Sequence, residues 1–286
     1  MTNQDNTHDH DVETMKSSWD ARAVSNPLYA INATRQHWDV EDFYEQGLTL
    51  VGQIVDPALD VLSVDPRGRR VLELGCGMGR LFEGLSQRFG EIWGTDISVE
   101  MIRQGRSLCP VEATWILGDG STLREVEEES IDHVVSYEVF EHIPQPSIIR
   151  GYFEEIHRVL RAGGTFQAQL RRASDTPRQA VVRAMPRALR VLSGSVLRRV
   201  GVLPVPGDID TWLGCIVKPD AALSMSTDVG FVDCRVFATD FGEDAHAGAH
   251  YWILGRKPAG GGEVRLDGDG QPRTTAETFE GIGEDL

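Results

Sequence analysis

Residues 71–80 read VLELGCGMGR, a short strand-forming run followed by glycines at 75, 77 and 79. Glu73 interrupts the apolar run just before the loop. Glycines at the end of a strand let a ligand approach bare backbone, and the helix that follows offers N–H groups and the positive end of its dipole. The dinucleotide pattern G-x-G-x-x-G would place a third glycine at position 80. Here that position is Arg80, and the third glycine comes one residue early at Gly79.

Outward from this loop, strand and helix patterns alternate, as expected of a parallel sheet wrapped by helices. RRVLELG reads as a first strand and RLFEGLSQRF as a helix; EIWGTD is a second strand, followed by a helix over SVEMIRQGRSL that Ser98 caps. ATWILGD, IDHVVSY and TFQAQL supply three more strands, and PSIIRGYFEEIHRVL reads as an amphipathic helix stopped by Gly163–Gly164. Beyond residue 215, KPDAALSMSTDVGF reads as a helix, and FVDCRVFAT and HYWILGRK as two strands close enough in sequence to pair antiparallel. The expected fold is α/β: a doubly wound, Rossmann-like sheet of seven strands with an antiparallel last strand and a helical lid insertion. Ligands of such sheets bind beyond the carboxyl ends of the strands.

Composition limits the partners. The 286 residues carry a net charge of −16, against the basic face that a nucleic-acid partner requires. Four cysteines are scattered without a C-x-x-C pair, so neither zinc nor a disulfide framework is signalled. No apolar run approaches the roughly 20 residues of a membrane helix, and a cytoplasmic protein is expected. Residues 1–14 read as a disordered leader, 15–258 as the folded domain and 259–286 as an acidic, disordered tail. Between 171 and 199 eight arginines stand against one acid, Asp175, marking 171–215 as a basic insertion.

Taken together, the segments resemble class I S-adenosylmethionine-dependent methyltransferases, strongly over 68–170 and weakly over 216–257. ELGCGMG is similar to the family's glycine motif. The resemblance implies that the backbone of Gly75, Cys76, Gly77 and Gly79 holds the methionine part of S-adenosylmethionine, with Glu73 orienting its amino group. It implies that Asp96 binds the two ribose hydroxyls, whose vicinal donors suit a carboxylate's two acceptors. Ile97 and Met101 would flank the adenine, and Asp119, beside Gly120, would accept from its exocyclic amine. Each acid alone has a plainer reading, Asp96 as a helix cap and Asp119 as part of a turn.

The fourth strand ends in SYEVFEHIPQP, which resembles the E-H-[IV]-P ending of small-molecule O-methyltransferases, including those of ubiquinone biosynthesis, with their E-x-x-E-H group at Glu138, Glu141 and His142. Methyl transfer to oxygen requires an aligned nucleophile and a base for its proton, and histidine titrates near neutrality. His142 is therefore the candidate general base, with Glu141 and Glu138 beside it; the plainer reading is that His142 caps the turn. A second reading makes Glu138, Glu141 and His142 ligands of Mg²⁺ or a similar cation. Asp244, His246 and His250 form a weaker cluster, read as a solvent-facing loop.

Substrate recognition is expected outside the shared core. In SSWDARAVSNPLYAI, Trp19, Arg22 and Tyr29 are candidates for a lid over the cofactor, or for simple packing of a helix on the sheet. In the insertion Met185, Leu189, Leu192, Val196 and Val200 recur at helical spacing among arginines, which suits a lid over an anionic or polyhydroxyl acceptor, a peripheral membrane contact or a homodimer contact. The reading that follows is an O-methyltransferase acting on a small molecule, a sugar, saccharide or secondary metabolite being favoured. Its rivals are an NAD(P)-dependent oxidoreductase on a similar sheet and a non-catalytic methyltransferase-like binding protein.

Overall fold

A computed structural model of the chain describes residues 3–35, 37–171, 214–237 and 250–260, with the side chains of 3–9 left aside. Most of the basic insertion, Asp244, His246 and residues 261–286 therefore lie outside the described residues. The element order is α1 (Asn3–Ser25), α2 (Pro27–Ile31), α3 (Val40–Ile54), α4 (Asp56–Val61), β1 (Arg70–Leu74), α5 (Phe82–Ser86), β2 (Glu91–Asp96), α6 (Val99–Leu108) and β3 (Thr114–Leu117). Then come β4 (Ile131–Ser136), a 3₁₀ turn (Phe140–His142), α7 (Pro146–Val159), β5 (Leu160–Arg171), α8 (Pro219–Val229), β6 (Val232–Phe237) and β7 (His250–Arg256).

The strands form one sheet in the order β3-β2-β1-β4-β5-β7-β6, parallel from β3 to β5. β7 inserts antiparallel between β5 and β6. The winding direction reverses between β1 and β4, the switch point where such sheets bind ligands. Alternation along the strands gives the sheet two apolar faces. On one, Leu72, Val134, Phe166 and Ile253 pack with Phe153 and Ile156 of α7 and Ala222 of α8. On the other, Val71, Val135 and Leu254 meet Val51 and Ile54 of α3, Leu59 of α4 and Phe82 of α5. α7 buries Ile148, Ile149, Tyr152, Phe153, Ile156 and Val159, the i, i+1, i+4, i+5 spacing of one helical face.

Three local readings are corrected. Residues 3–14, expected to be structureless, belong to α1. The helix has a reason to exist in Met15 and Ala23, which are buried, and Val12 and Trp19, which pack against the body. These four recur every three or four residues within a polar composition that concealed them. The helix before β5 stops at Val159 rather than at the glycine pair, and β5 begins at once. Gly163, at φ 76, and Gly164 instead form a bulge, where β4 pairing jumps from Ile131↔Leu160 to His133↔Thr165. The helix expected over 80–89 contracts to five residues without a side-chain cap.

His133 on β4 is fully buried, its Nδ1 2.8 Å from Thr165 Oγ1 and its Nε2 3.4 Å from Gln167 Oε1, with the ring stacked on Phe89. Burial pushes its pKa down from 6.5 to about 4, against the opposing effect of the Gln167 bond. The unfolded chain therefore binds a proton that the folded one refuses between those values. This contribution is complete above pH 6.5 and is lost as pH falls towards 4, on the order of 3 kcal/mol in all. Denaturant titrations across that window are expected to show a shallower pH slope for His133→Gln than for the wild type; equal slopes would contradict the assignment.

Candidate active site

β1 and β2 end side by side, and the chain leaving β1 must turn tightly beneath the start of α5. Gly75 has φ 77, and a Cβ there would come within 2.2 Å of Val139; Gly77 has φ 52, with Ile31 2.9 Å from its would-be Cβ. Both positions thus combine a left-handed backbone with a close neighbour, which only glycine meets without strain. The loop's amides are committed internally. Gly75 N and Cys76 N donate to Thr95 O at 2.7 and 3.0 Å, Gly77 N to Asp96 Oδ2 at 2.8 Å and Gly79 N to Cys76 O at 2.8 Å. The loop is a bare surface bordered by carboxylates, with three of its amides tying it to the tip of β2.

Those carboxylates are Glu73 and Asp96. Glu73 is 4% exposed, and its Oε2 has no hydrogen-bond partner. Burial raises its pKa well above the usual range; Arg80 opposes that shift and Asp96 adds to it. Asp96 accepts from Gly77 N and, through Oδ1, from Ser98 N at 2.8 Å. Burial nevertheless carries its pKa up to about 6, outweighing these donors. An orphaned acceptor and a second carboxylate fit a ligand that brings cationic or hydroxyl donors, and they repel a pyrophosphate. The residues present thus fit the ammonium and ribose of S-adenosylmethionine; Asp96 suits the ribose of this ligand or of a dinucleotide, and Glu73 beside the glycine loop is what disfavours a pyrophosphate.

Asp119 is bonded within its own turn. Its Oδ1 accepts from Ser121 N, Ser121 Oγ and Thr122 N, and its Oδ2 from Thr122 Oγ1. Burial works against its ionisation, yet the Thr122 and Ser121 bonds leave its pKa lowered. The carboxylate shapes the turn after β3 and presents Gly120, whose would-be Cβ lies 2.4 Å from Ile97 and 3.0 Å from Val12. Met101 is buried with Ala23 and Met78, and Trp19 and Ile31 pack against that group. Ile97 and Gly120 on one side and Met101 on the other therefore line the same region as Asp96.

α1 crosses this region from end to end. Asp11 Oδ2 accepts from Gln145 Nε2 at 2.8 Å, and Trp19 meets His142 edge-on with 5.1 Å between ring centroids. Arg22 lies 5.2 Å over the Trp19 ring. Asp20 accepts from Ser98 Oγ at 2.6 Å, and Ala23 O from Gln104 Nε2 at 2.9 Å. Trp19 stands beside His142 with Arg22 over its ring, whereas Tyr29 N donates to Asn26 Oδ1 and caps α2. Sequence reasoning missed Asp20, because a lone acid inside a polar helix carries no pattern.

At the tip of β4 the three residues expected to act together diverge. Glu138, at φ 58, pairs with Arg80 at 3.0 Å. Arg80 is itself buried and lies over Tyr137, so the residue that breaks the dinucleotide pattern anchors the acceptor side of the loop. Glu141 sits between two histidines: His250 Nε2 donates to its Oε2 at 2.8 Å, and His142 Nε2 is 3.5 Å from its Oε1. Burial opposes ionisation of Glu141, but the His250 bond and the charges of His142, His250 and Arg171 hold its pKa at about 2. Among the described residues no three His, Cys, Asp or Glu side chains converge as a metal site, and Glu138 pairs with Arg80 rather than with Glu141 and His142. His250, expected in a solvent-facing loop, opens β7 with its side chain 14% exposed.

The comparisons with known proteins point the same way. Residues 71–164 match the model of a methyltransferase domain family. The chain is 29% identical over 153 residues to the ubiquinone biosynthesis O-methyltransferase of Alkalilimnicola ehrlichii, covering 51% of this chain and 54% of that protein. It is 30% identical over 152 residues to the Pseudomonas fluorescens SBW25 protein of the same name, with the same coverage. The chain thus spans about half the length of the curated relatives it matches. In fold it is similar to magnesium protoporphyrin IX methyltransferase from Synechocystis PCC 6803, solved with bound S-adenosylhomocysteine, at a TM-score of 0.55 and 17% identity over 86% of this chain and 99% of that one. No helix among the described residues is long and apolar enough to cross a membrane. The sequence match falls on the strands that carry Glu73 and Asp96, so residues 71–164 resemble a methyltransferase domain, and over most of the chain the likeness to the Synechocystis enzyme is one of fold.

Proposed function

We propose that this chain transfers the methyl group of S-adenosylmethionine to a hydroxyl oxygen of a small molecule. The observation that carries this reading is the buried Glu73 carboxylate, whose Oε2 lacks a partner beside the glycine loop. Leaving such an acceptor unsatisfied costs about 1–3 kcal/mol, a cost that a ligand ammonium removes. Asp96 would take the ribose hydroxyls, and Ile97, Met101 and Gly120 would bound the adenine. When bound, the cofactor supplies an electrophilic methyl group on a sulfonium.

His142 takes the proton from the acceptor hydroxyl, and the ionised Glu141 beside it stabilises the imidazolium that results. Trp19 and α1 cover this end of the site and keep water from it. The matched relatives are named for O-methylation in ubiquinone biosynthesis, which supports oxygen as the atom methylated. For this chain we favour a sugar, saccharide or other secondary metabolite, anionic or polyhydroxylated. Arg171 at the end of β5, close enough to lower the Glu141 pKa, begins the basic segment expected to cover such an acceptor.

Glu73→Leu is expected to raise the melting temperature and to weaken S-adenosylhomocysteine binding about tenfold or more, since a charge-assisted bond is lost while a desolvation cost disappears. Unchanged affinity would remove Glu73 from the site. Asp96→Ala is also expected to weaken binding. In the wild type affinity is expected to fall as pH drops through about 6, because protonation costs the Asp96 carboxylate one of its acceptors; a flat calorimetric profile there would contradict the ribose assignment. His142→Ala is expected to keep cofactor affinity and lose about 10²–10⁴-fold in turnover on a panel of hydroxylated acceptors. Full turnover in that variant would make His142 structural.

A further inference from the structure

His250 reaches the site from the far half of the sheet. It is the first residue of β7, in register with Arg171 at the end of β5. Its Nε2–H donates to Glu141 Oε2 at 2.8 Å, and the other carboxylate oxygen, Oε1, lies 3.5 Å from His142 Nε2. The three side chains are all largely buried, His250 and Glu141 at 14% exposure and His142 at 17%. The turn that carries Glu141 and His142 is a single 3₁₀ turn of three residues with no side-chain cap. Such a turn has few bonds of its own with which to fix two side chains. Among the described residues its backbone is held by His142 N to Val139 O and Ile143 N to Phe140 O, with one long-range bond from Cys215 N to Ile143 O.

We propose that His250 is a positioning residue for His142, acting through Glu141: it clamps one carboxylate oxygen so that the other faces His142 Nε2 and keeps the imidazole proton on that nitrogen. The inference rests on the methyl-transfer reading above, which gives His142 its role as base. Its chemical consequence is specific. A carboxylate facing Nε2 favours the neutral tautomer protonated there, so Nδ1 is the nitrogen left to accept the proton of the acceptor hydroxyl. His250 thereby links the antiparallel half of the sheet, which touches none of the cofactor-side acids, to the catalytic step. The other charged group beside Glu141 is Arg171, whose charge helps keep the carboxylate ionised whichever way it points.

The test reads the tautomer directly. Imidazole ¹⁵N spectra of histidine-labelled, full-length protein, assigned with His142→Gln, are expected to show His142 as one neutral tautomer carrying its proton on Nε2. His250→Phe keeps the ring volume and removes the donor, and it is expected to lose that single-tautomer signature. His250→Gln, whose amide N–H can still reach Glu141, is expected to restore it, and Glu141→Gln to abolish it again. Should the phenyl ring unfold the strand, as a collapsed melting temperature would show, His250→Asn serves instead, being polar but too short to reach Glu141. A His142 signature unchanged in His250→Phe or His250→Asn, or a wild-type ring protonated on Nδ1, overturns the proposal. Calorimetry with S-adenosylhomocysteine on the same proteins reports separately on methyl transfer: a wild type that fails to bind it undoes that reading while leaving the tautomer result standing.

Discussion

A buried carboxylate and a half-buried one, at the tips of neighbouring parallel strands, set the terms for the rest of the molecule. Asp96 is tied to the glycine loop by Gly77 N–H, and the same loop closes on β2 through Gly75 and Cys76 donating to Thr95 O. These bonds consume the amides that would otherwise make the loop an anion site. Glu73 is then left with an orphaned oxygen and a pKa raised by burial, a state that a folded chain tolerates when something else completes it. Arg80 moderates the cost from one side, and its pairing with Glu138 places a balanced ion pair between the cofactor acids and the tip of β4. The electrostatics therefore select for a ligand bearing donors and positive charge. This is a stronger discriminator than the glycine spacing, which separates the two ligand classes by one residue.

The sheet was legible because its determinants are local. Each parallel strand is a short apolar run bounded by turn residues, and the order in which the acids appear at the strand ends follows from the chain order. The bulge in β5 was not legible: Gly163–Gly164 has the chemistry of a helix stop, and only the pairing of β5 with both β4 and β7 converts it into a register jump. α1 was concealed for another reason. Its inward face is only four residues wide in a polar segment, and what stabilises it is contact with Gln145, Ser98 and Gln104, each distant in sequence.

The site divides along the same line. Glu73, Asp96 and the loop glycines meet at the tips of β1 and β2, Asp119 is bonded within its turn, and the E-x-x-E-H group divides between Arg80 and the histidines beside Glu141. Glu138 and Glu141 are three residues apart, but φ 58 at Glu138 sends the chain out of regular geometry, and their partners, Arg80 and His250, come from opposite halves of the sheet. A spacing rule has no access to that divergence. On the function proposed above, the same divergence separates a cofactor side around Glu73 and Asp96 from a proton-handling side around Glu141, with α1 contacting both. Asp20 ties α1 to Ser98, whose backbone N–H donates to Asp96, so α1 and the carboxylate at the tip of β2 share one hydrogen-bond network.

The most direct measurement is titration calorimetry of the purified chain with two ligands in turn, S-adenosylhomocysteine and NAD⁺. A loop that spends its amides internally and borders its ligand with carboxylates predicts saturable, one-to-one heat with the first and none with the second. Heat with NAD⁺ and silence with S-adenosylhomocysteine would mean that the negative charge at the strand tips does not choose the ligand.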